Sequence, residues 1–279
     1  MSEKKICVIT GCSAGIGKAT AIEMARLDYH VVMLVRDSGK SRAALEEIKA
    51  ASGNSDVKLF YVDLASLASI RRVAETIASE YSRIDVLINN AGVFKRKREM
   101  SADGIEMKLA VNYFAPFLLT NLLLPLIEGS PEGRIVNLTS ELYKKGHADL
   151  ESASSGERFN GNKAYADSKL LLVMFTQEMS RRLVGCDISV NCVHPGVVGT
   201  DVFREYPRWF AKLLNRLISK PEDAAKYVVN LATASELKGV GGRYFSKSKM
   251  KLSTGKDLSQ ELLERLWGQS ELMTGLGEA

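Results

Sequence analysis

The chain has 279 residues, 46% hydrophobic and 25% charged, the balance of a globular protein with a sizeable core. Its 38 basic residues against 33 acids leave a net charge of +5 spread along the sequence, too mild to argue for nucleic-acid binding though it suits anionic ligands. The four cysteines (Cys7, Cys12, Cys186, Cys192) show no C-x-x-C spacing and no histidine at metal-site spacing, so reduced thiols and no metal are expected.

The first predicted strand, Ile6–Thr10, follows Met1–Lys5 with no room for a signal peptide, which gives a cytoplasmic expectation. After it comes Thr10-Gly11-Cys12-Ser13-Ala14-Gly15-Ile16-Gly17-Lys18, opening a helix over Ile16–Leu27. Glycines there let the chain turn tightly and let a pyrophosphate approach the amides of a helix start. The spacing G-x-x-x-G-x-G departs from G-x-G-x-x-G, and any tight turn has a similar look. Its place between the first strand and the first helix is what points to a dinucleotide.

His30–Val35 reads as the second strand and runs into Arg36-Asp37. In such folds an acid near this point takes the adenosine ribose hydroxyls, while an arginine accommodates a 2′-phosphate. Val35 stands where the acid would be and Arg36 comes first after it, so NADP(H) is expected in preference to NAD(H). The plainer reading is a solvated Arg-Asp turn with no part in that choice. A helix over Lys40–Ala51 and a strand over Val57–Val62 follow. Asp63 and Leu64 then lie where an adenine ring would be touched, although Asp63 is equally placed to cap the helix Leu67–Tyr81.

Val86–Asn89 is the fourth strand and ends in Asn89-Asn90-Ala91-Gly92. The basic run Lys95-Arg96-Lys97-Arg98 beyond it reads as a solvated loop. A helix over Gly104–Ile127 contains Asn112 and the apolar stretch Phe114–Ile127. With two prolines, Thr120 and Asn121, that stretch is too short to span a bilayer and reads as buried. Strand Arg134–Leu138 leads to Ser140, and helix Ala164–Val184 carries Tyr165 and Lys169. Four positions apart, those two share a helix face. A phenol titrates near ~10, and a neighbouring ammonium lowers that value, which makes an acid/base pair suited to an alcohol or a carbonyl. Alone, Y-x-x-x-K is common and is mostly a solvated pair.

Strand Ile188–Val193 precedes His194-Pro195-Gly196-Val197-Val198-Gly199-Thr200. In 202–219, Phe203, Tyr206, Trp209 and Phe210 alternate with Arg204 and Arg208. That pattern reads first as a packed helix or lid and second as a peripheral membrane contact. Helix Pro221–Ala234, a late strand near Tyr244 and helix Asp257–Met273 complete the chain. Apolar strands alternating with helices predict an α/β fold, one doubly wound parallel sheet in a single domain over 1–279.

Thr10-Gly-x-x-x-Gly-Ile-Gly17, Asn89-Asn90-Ala91-Gly92, Asn112, Ser140, Tyr165-x-x-x-Lys169 and Pro195-Gly196 stand in order, and together they resemble the short-chain dehydrogenase/reductase superfamily over nearly the whole chain. The resemblance implies a seven-stranded Rossmann sheet with helices on both faces. It implies a mainly cofactor-binding half over 1–100, a catalytic and substrate half over 101–279, and a lid near 202–219. Tyr165 is then the proton donor or acceptor, and Lys169 lowers its pKa and binds the nicotinamide ribose. Ser140 bonds the substrate oxygen, and Asn112 holds a water in a proton relay. Gly11, Ser13, Ala14, Gly15, Ile16 and Gly17 would cradle the pyrophosphate. Asn90, Ala91 and Gly92 line the crevice, Pro195 and Gly196 border the nicotinamide, and Val198 and Thr200 contact its carboxamide.

The long stretch between Ser140 and Tyr165, with Val35-Arg36-Asp37 and Val193-His194-Pro195-Gly196-Val197, is similar to the retinol dehydrogenase-like branch. That branch interconverts lipophilic alcohols with aldehydes or ketones, using NADP(H). Many animal members begin with a membrane anchor, and the opening residues here show none, so a soluble enzyme without a membrane span is expected. The resemblance also implies a homodimer through the helices holding Phe114–Ile127 and Leu170–Phe175, although those apolar faces could equally be satisfied within one chain. Other readings stay open: a reductase of a non-retinoid ketone, a sugar-nucleotide epimerase or dehydratase, or a non-catalytic NADP(H)-binding regulator.

Overall fold

A computed structural model describes residues 4–150, 159–196, 219–251 and 258–277. Eight strands form one sheet: β1 (Ile6–Thr10), β2 (His30–Val35), β3 (Val57–Tyr61), β4 (Val86–Asn89), β5 (Gly133–Leu138), β6 (Ile188–His194), β7 (Tyr244–Ser246) and β8 (Lys249–Lys251). Their order is β3-β2-β1-β4-β5-β6-β7-β8, parallel as far as β7. Every residue of β1, β4 and β5 is buried, as a sheet covered on both faces requires. The eighth strand departs from the seven expected. It is Lys249-Met250-Lys251, antiparallel to β7 and exposed throughout, too short and too polar to announce itself as a strand.

The helices are α1 (Gly15–Arg26), α2 (Gly39–Ser52), α3 (Leu67–Glu80), α4 (Met107–Glu128), α5 (Gly161–Arg182), α6 (Pro221–Thr233) and α7 (Gln260–Thr274). Local chemistry sets most of their starts. Ser38, Ser66, Asn160 and Ser259 each accept a hydrogen bond from a first-turn amide of α2, α3, α5 and α7. The α3 cap is therefore Ser66, and Asp63 instead accepts from the Ala65 amide at 3.0 Å, making a tight turn.

Helix α4 is not uniform. Over Ala110–Phe114 it widens to a π-helix, with the Ala115 amide reaching the carbonyl of Ala110. Counting that segment, Met107–Glu128 is 22 residues, long and apolar enough to cross a membrane by length and composition, longer than the Phe114–Ile127 stretch read from the sequence. Here it is a core helix: Phe114, Phe117, Leu118, Leu119, Leu123 and Ile127 are fully buried. Trp267 of α7 meets Phe117 edge-on at 5.0 Å and stacks on Phe175 of α5 at 6.0 Å. Leu170–Phe175 are thereby covered within one chain and are not a free surface for a second copy. The other face of the sheet packs Ala21, Met24, Ile48, Val228 and Leu231 from α1, α2 and α6.

Candidate active site

The strand order reverses between β1 and β4, and doubly wound sheets bind ligands beyond the carboxyl ends of the strands at such a point. Thr10, the last residue of β1, ties the two strand ends together. Its Oγ1 accepts from the amides of Asn90 and Ala91, both at 3.0 Å, and donates to the Ile88 carbonyl at 3.4 Å. Asn90 returns the bond, its Nδ2 donating to the carbonyls of Thr10 (2.8 Å) and Gly11 (3.1 Å). The glycine turn and the Asn-Asn-Ala-Gly segment are therefore one rigid unit. Thr10 was not among the expected site residues, although it stands in the quoted motif.

Two glycines in this unit are obligatory. Gly11 has φ +68, and a Cβ there would lie 2.9 Å from Cα of Ala91. A Cβ on Gly17 would overlap the Asn90 side chain and come within 2.6 Å of the Gly11 carbonyl oxygen. Helix α1 begins here without a side-chain cap, Ala14 being its N-cap, and with no acid in its first turn. Its leading amides are left for an anion, with the positive end of the helix dipole behind them. This is the fit expected for a pyrophosphate over Ser13, Ala14, Gly15, Ile16 and Gly17. Thr10, Leu64, Asn89, Ala91 and Val111 meet nearby around a recess too narrow to hold a water molecule, which brings Leu64 and Ala91 together. Cys12, in the same turn, is buried, its thiol pushed up to about 12 by that burial, so it is inert.

At the end of β2, Val35 is buried and Arg36 and Asp37 are exposed. Asp37 is ion-paired to Arg42 at 2.8 Å, and Arg42 also reaches the Tyr61 hydroxyl at 3.3 Å. Arg36 has no ion-pair partner among the described residues.

Tyr165 and Lys169 lie on the first turns of α5 and are both buried. Lys169 Nζ is 5.8 Å from the centre of the Tyr165 ring and donates to the carbonyl of Leu138 at 2.9 Å. Thr139 Oγ1 donates in turn to the Lys169 carbonyl at 3.2 Å, clamping α5 to the end of β5. Burial lowers the Lys169 ammonium from its ordinary 10.5 to about 8. A Cβ on Gly92 would stand 3.5 Å from Lys169 Nζ and 3.4 Å from Asn112 Oδ1, so the Asn-Asn-Ala-Gly segment arrives directly over both residues.

Asn112 sits in the π-helical segment, where its side chain is fully engaged. Its Oδ1 accepts from the Val93 amide at 2.8 Å, and its Nδ2 donates to the Val93 carbonyl (3.0 Å) and to Ser168 Oγ (3.1 Å). Ser168 bonds the Tyr165 carbonyl at 2.8 Å. Asn112 thus holds the loop after β4 against the Tyr165 helix. Ser140 follows β5 and caps a short 3-10 turn, Glu141–Lys145, through the Leu142 amide at 3.3 Å. That turn packs on α5: a Cβ on Gly146 would meet the Ala166 carbonyl at 2.5 Å. Phe94, which sequence reading passed over, meets Tyr165 edge-on at 5.5 Å.

Pro195 and Gly196 leave β6 at the same edge of the sheet, Gly196 with φ +98. Val198, Thr200 and all but the last residue of the 202–219 segment lie outside the described residues.

The chain is similar to known proteins over nearly all of its length. A family model described as short chain dehydrogenase matches residues 5–210. The chain is 39% identical over 281 residues to retinol dehydrogenase 13 of Homo sapiens, covering 98% of this chain and 85% of that protein. It is 36% identical over 282 residues to polyprenol dehydrogenase of Homo sapiens, covering 98% and 86%. Among solved structures it resembles a protein from Mycobacterium paratuberculosis with TM-score 0.77 and 29% identity, over 97% of this chain and 93% of that one.

Proposed function

The chain belongs to the short-chain dehydrogenase/reductase superfamily, in its retinol dehydrogenase-like branch, and from that premise we propose that it is an NADP(H)-dependent oxidoreductase interconverting a lipophilic alcohol with its aldehyde or ketone. The observation that carries the proposal is the buried pair Tyr165–Lys169 beneath Gly92, with the uncapped α1 terminus on the same sheet edge. When bound, the nicotinamide supplies or accepts the hydride.

The chain's own part is to move a proton and to hold charge. Tyr165 Oη gives its proton to the carbonyl oxygen in reduction and takes one from the alcohol in oxidation. Negative charge builds on that oxygen only in the transition state, so the hydroxyls of Ser140 and Tyr165 are of most use there. Lys169, cationic and close to the ring, favours the phenolate and returns the proton. Gly11, Gly15 and Gly17 with the α1 amides hold the pyrophosphate, Asp63 and Leu64 lie on the adenine side, and Arg36 takes the 2′-phosphate. The named relatives act on retinol and polyprenol, both long lipophilic alcohols, which supports that substrate class here. The apolar 202–219 segment is proposed as its cover, with peripheral membrane contact as a further role.

The test is steady-state turnover of all-trans-retinal and of a simple aromatic ketone with NADPH and NADH. Retinal reduction that needs NADPH and falls at least ~100-fold in Tyr165→Phe, with cofactor binding retained, is expected. Turnover unchanged in Tyr165→Phe overturns the mechanism, and activity only on the ketone or only with NADH overturns the substrate or cofactor assignment.

A further inference from the structure

Glu106 and Lys108 are both wholly buried, and their charged ends meet at 2.8 Å. Burying two charges costs more than burying two apolar side chains of the same volume, so packing alone does not account for the pair. Its contacts do. Glu106 Oε2 accepts from the amides of Lys108 (2.9 Å) and Leu109 (3.2 Å), fixing the first turn of α4 a few residues ahead of Asn112. Lys108 Nζ donates onward to the Lys95 carbonyl at 3.0 Å and stands 4.4 Å from the centre of the Phe159 ring.

Both of those partners lie on segments that lead to Tyr165. The Lys95 carbonyl is the atom nearest to a Cβ built on Gly161, at 2.7 Å, and Gly161 is the first residue of α5. Phe94, one residue before Lys95, lays its ring against Tyr165. Phe159 immediately precedes the α5 cap, Asn160. One buried ammonium therefore joins the start of α4, the loop after β4, whose Phe94 lies against the phenol, and the entry to α5, which carries it.

We infer that Lys108, held by Glu106, is a positioning residue for Tyr165: it fixes the Phe94–Lys95 backbone and the entry of α5, and through them the placement of the phenol. The inference rests on the reading of Tyr165 as the acid/base. A proton donor displaced by about 1 Å costs on the order of 100-fold in rate, so the loss of such a tether falls on kcat.

The experiment is the double variant Glu106→Gln/Lys108→Met. It leaves no unpaired buried charge and keeps an acceptor oxygen for the α4 amides, but it removes the donor to the Lys95 carbonyl. Expected are a folded protein, NADPH affinity within about 2-fold of wild type, a kcat lowered about 10- to 100-fold, and a displaced Tyr165 limb in the pH profile. A folded double variant with wild-type kcat and pH profile overturns the inference. Phe94→Leu trims the ring that lies against Tyr165 and must move the same limb; an unchanged profile there overturns it equally, even where the double variant does not fold. The outcome is separable from that of the proposed function. Absence of turnover in the wild type defeats the latter, while spectrophotometric titration of the phenol, wild type minus Tyr165→Phe, still reports whether the double variant shifts Tyr165.

Discussion

Lys169 reaches the carbonyl of Leu138, the last residue of β5, at 2.9 Å, which puts its ammonium inside the fold. Burial is the cause of its lowered pKa, about 8 against an ordinary 10.5. The sign of the stability effect follows. Between pH 8 and 10.5 the unfolded chain keeps this proton and the folded chain has lost it, so the Lys169 contribution rises with pH in that window. Below pH 8 both states are protonated and the cost of the buried charge is paid in full. At ~1.4 kcal/mol per pKa unit the gain is about 3 kcal/mol. Urea unfolding of the cofactor-free protein should show wild type gaining on Lys169→Met from pH 8 upward, with a flat difference below. A difference that falls through the window would refute the assignment.

Gly17→Ala tests the cradle. The added Cβ meets the Gly11 carbonyl oxygen at 2.6 Å, and Gly11 is itself fixed by the hydrogen bond from its amide to the Leu34 carbonyl (2.8 Å) and by Asn90. The turn must open rather than a side chain rotate. NADPH affinity, followed by fluorescence titration, should drop at least ~10-fold while circular dichroism stays native. Undiminished affinity would place the pyrophosphate elsewhere.

Thr10→Val keeps the shape at the end of β1 and removes the oxygen that accepts the Asn90 and Ala91 amides. Leaving a buried donor without a partner costs about 1–3 kcal/mol, so thermal unfolding should come several degrees earlier and cofactor binding should weaken with it. A variant equal to wild type in both would mean that the turn and the Asn-Asn-Ala-Gly segment do not depend on each other.

The sheet was legible because its strands are short, largely apolar and punctuated. Ile6–Thr10, His30–Val35 and Val86–Asn89 are bounded as read from the sequence. The helix starts at Leu67 and Pro221 were read as observed, while others were off by up to three residues, as at Asn160, which starts α5 earlier than the apolar pattern suggests. The site motifs were visible as short local strings. What binds the strings together was not, because a hydroxyl such as that of Thr10 or Ser168 gains its meaning from partners 80 or 56 positions away. The Glu106–Lys108 pair was hidden for a similar reason: in sequence it looks like any exposed charge pair at the start of a helix. The π-helical turn at Asn112 carries no periodicity signal, since one widened turn leaves the apolar spacing nearly intact.

The proposed preference for NADP(H) rests on three residues at the end of β2. Val35 is buried and offers no carboxylate to the ribose, and Arg36 is exposed beside the site expected for the 2′-phosphate. Asp37 would repel that phosphate, but its carboxylate is held 2.8 Å from the Arg42 guanidinium. Both partners of that pair are largely exposed, so its worth to stability is small and its effect on a dianionic ligand is the larger matter. Arg36→Gln should raise KM for NADPH about 10-fold or more and leave KM for NADH nearly unchanged, because only the former carries the phosphate. Arg42→Gln should act in the same direction by a smaller factor, since it frees Asp37 without touching Arg36. Raising salt from 50 to 200 mM should weaken NADPH in wild type more than in either variant. If Arg36→Gln raised both KM values together, Arg36 would be supporting the loop rather than reading the phosphate, and the preference for NADP(H) would have to be withdrawn.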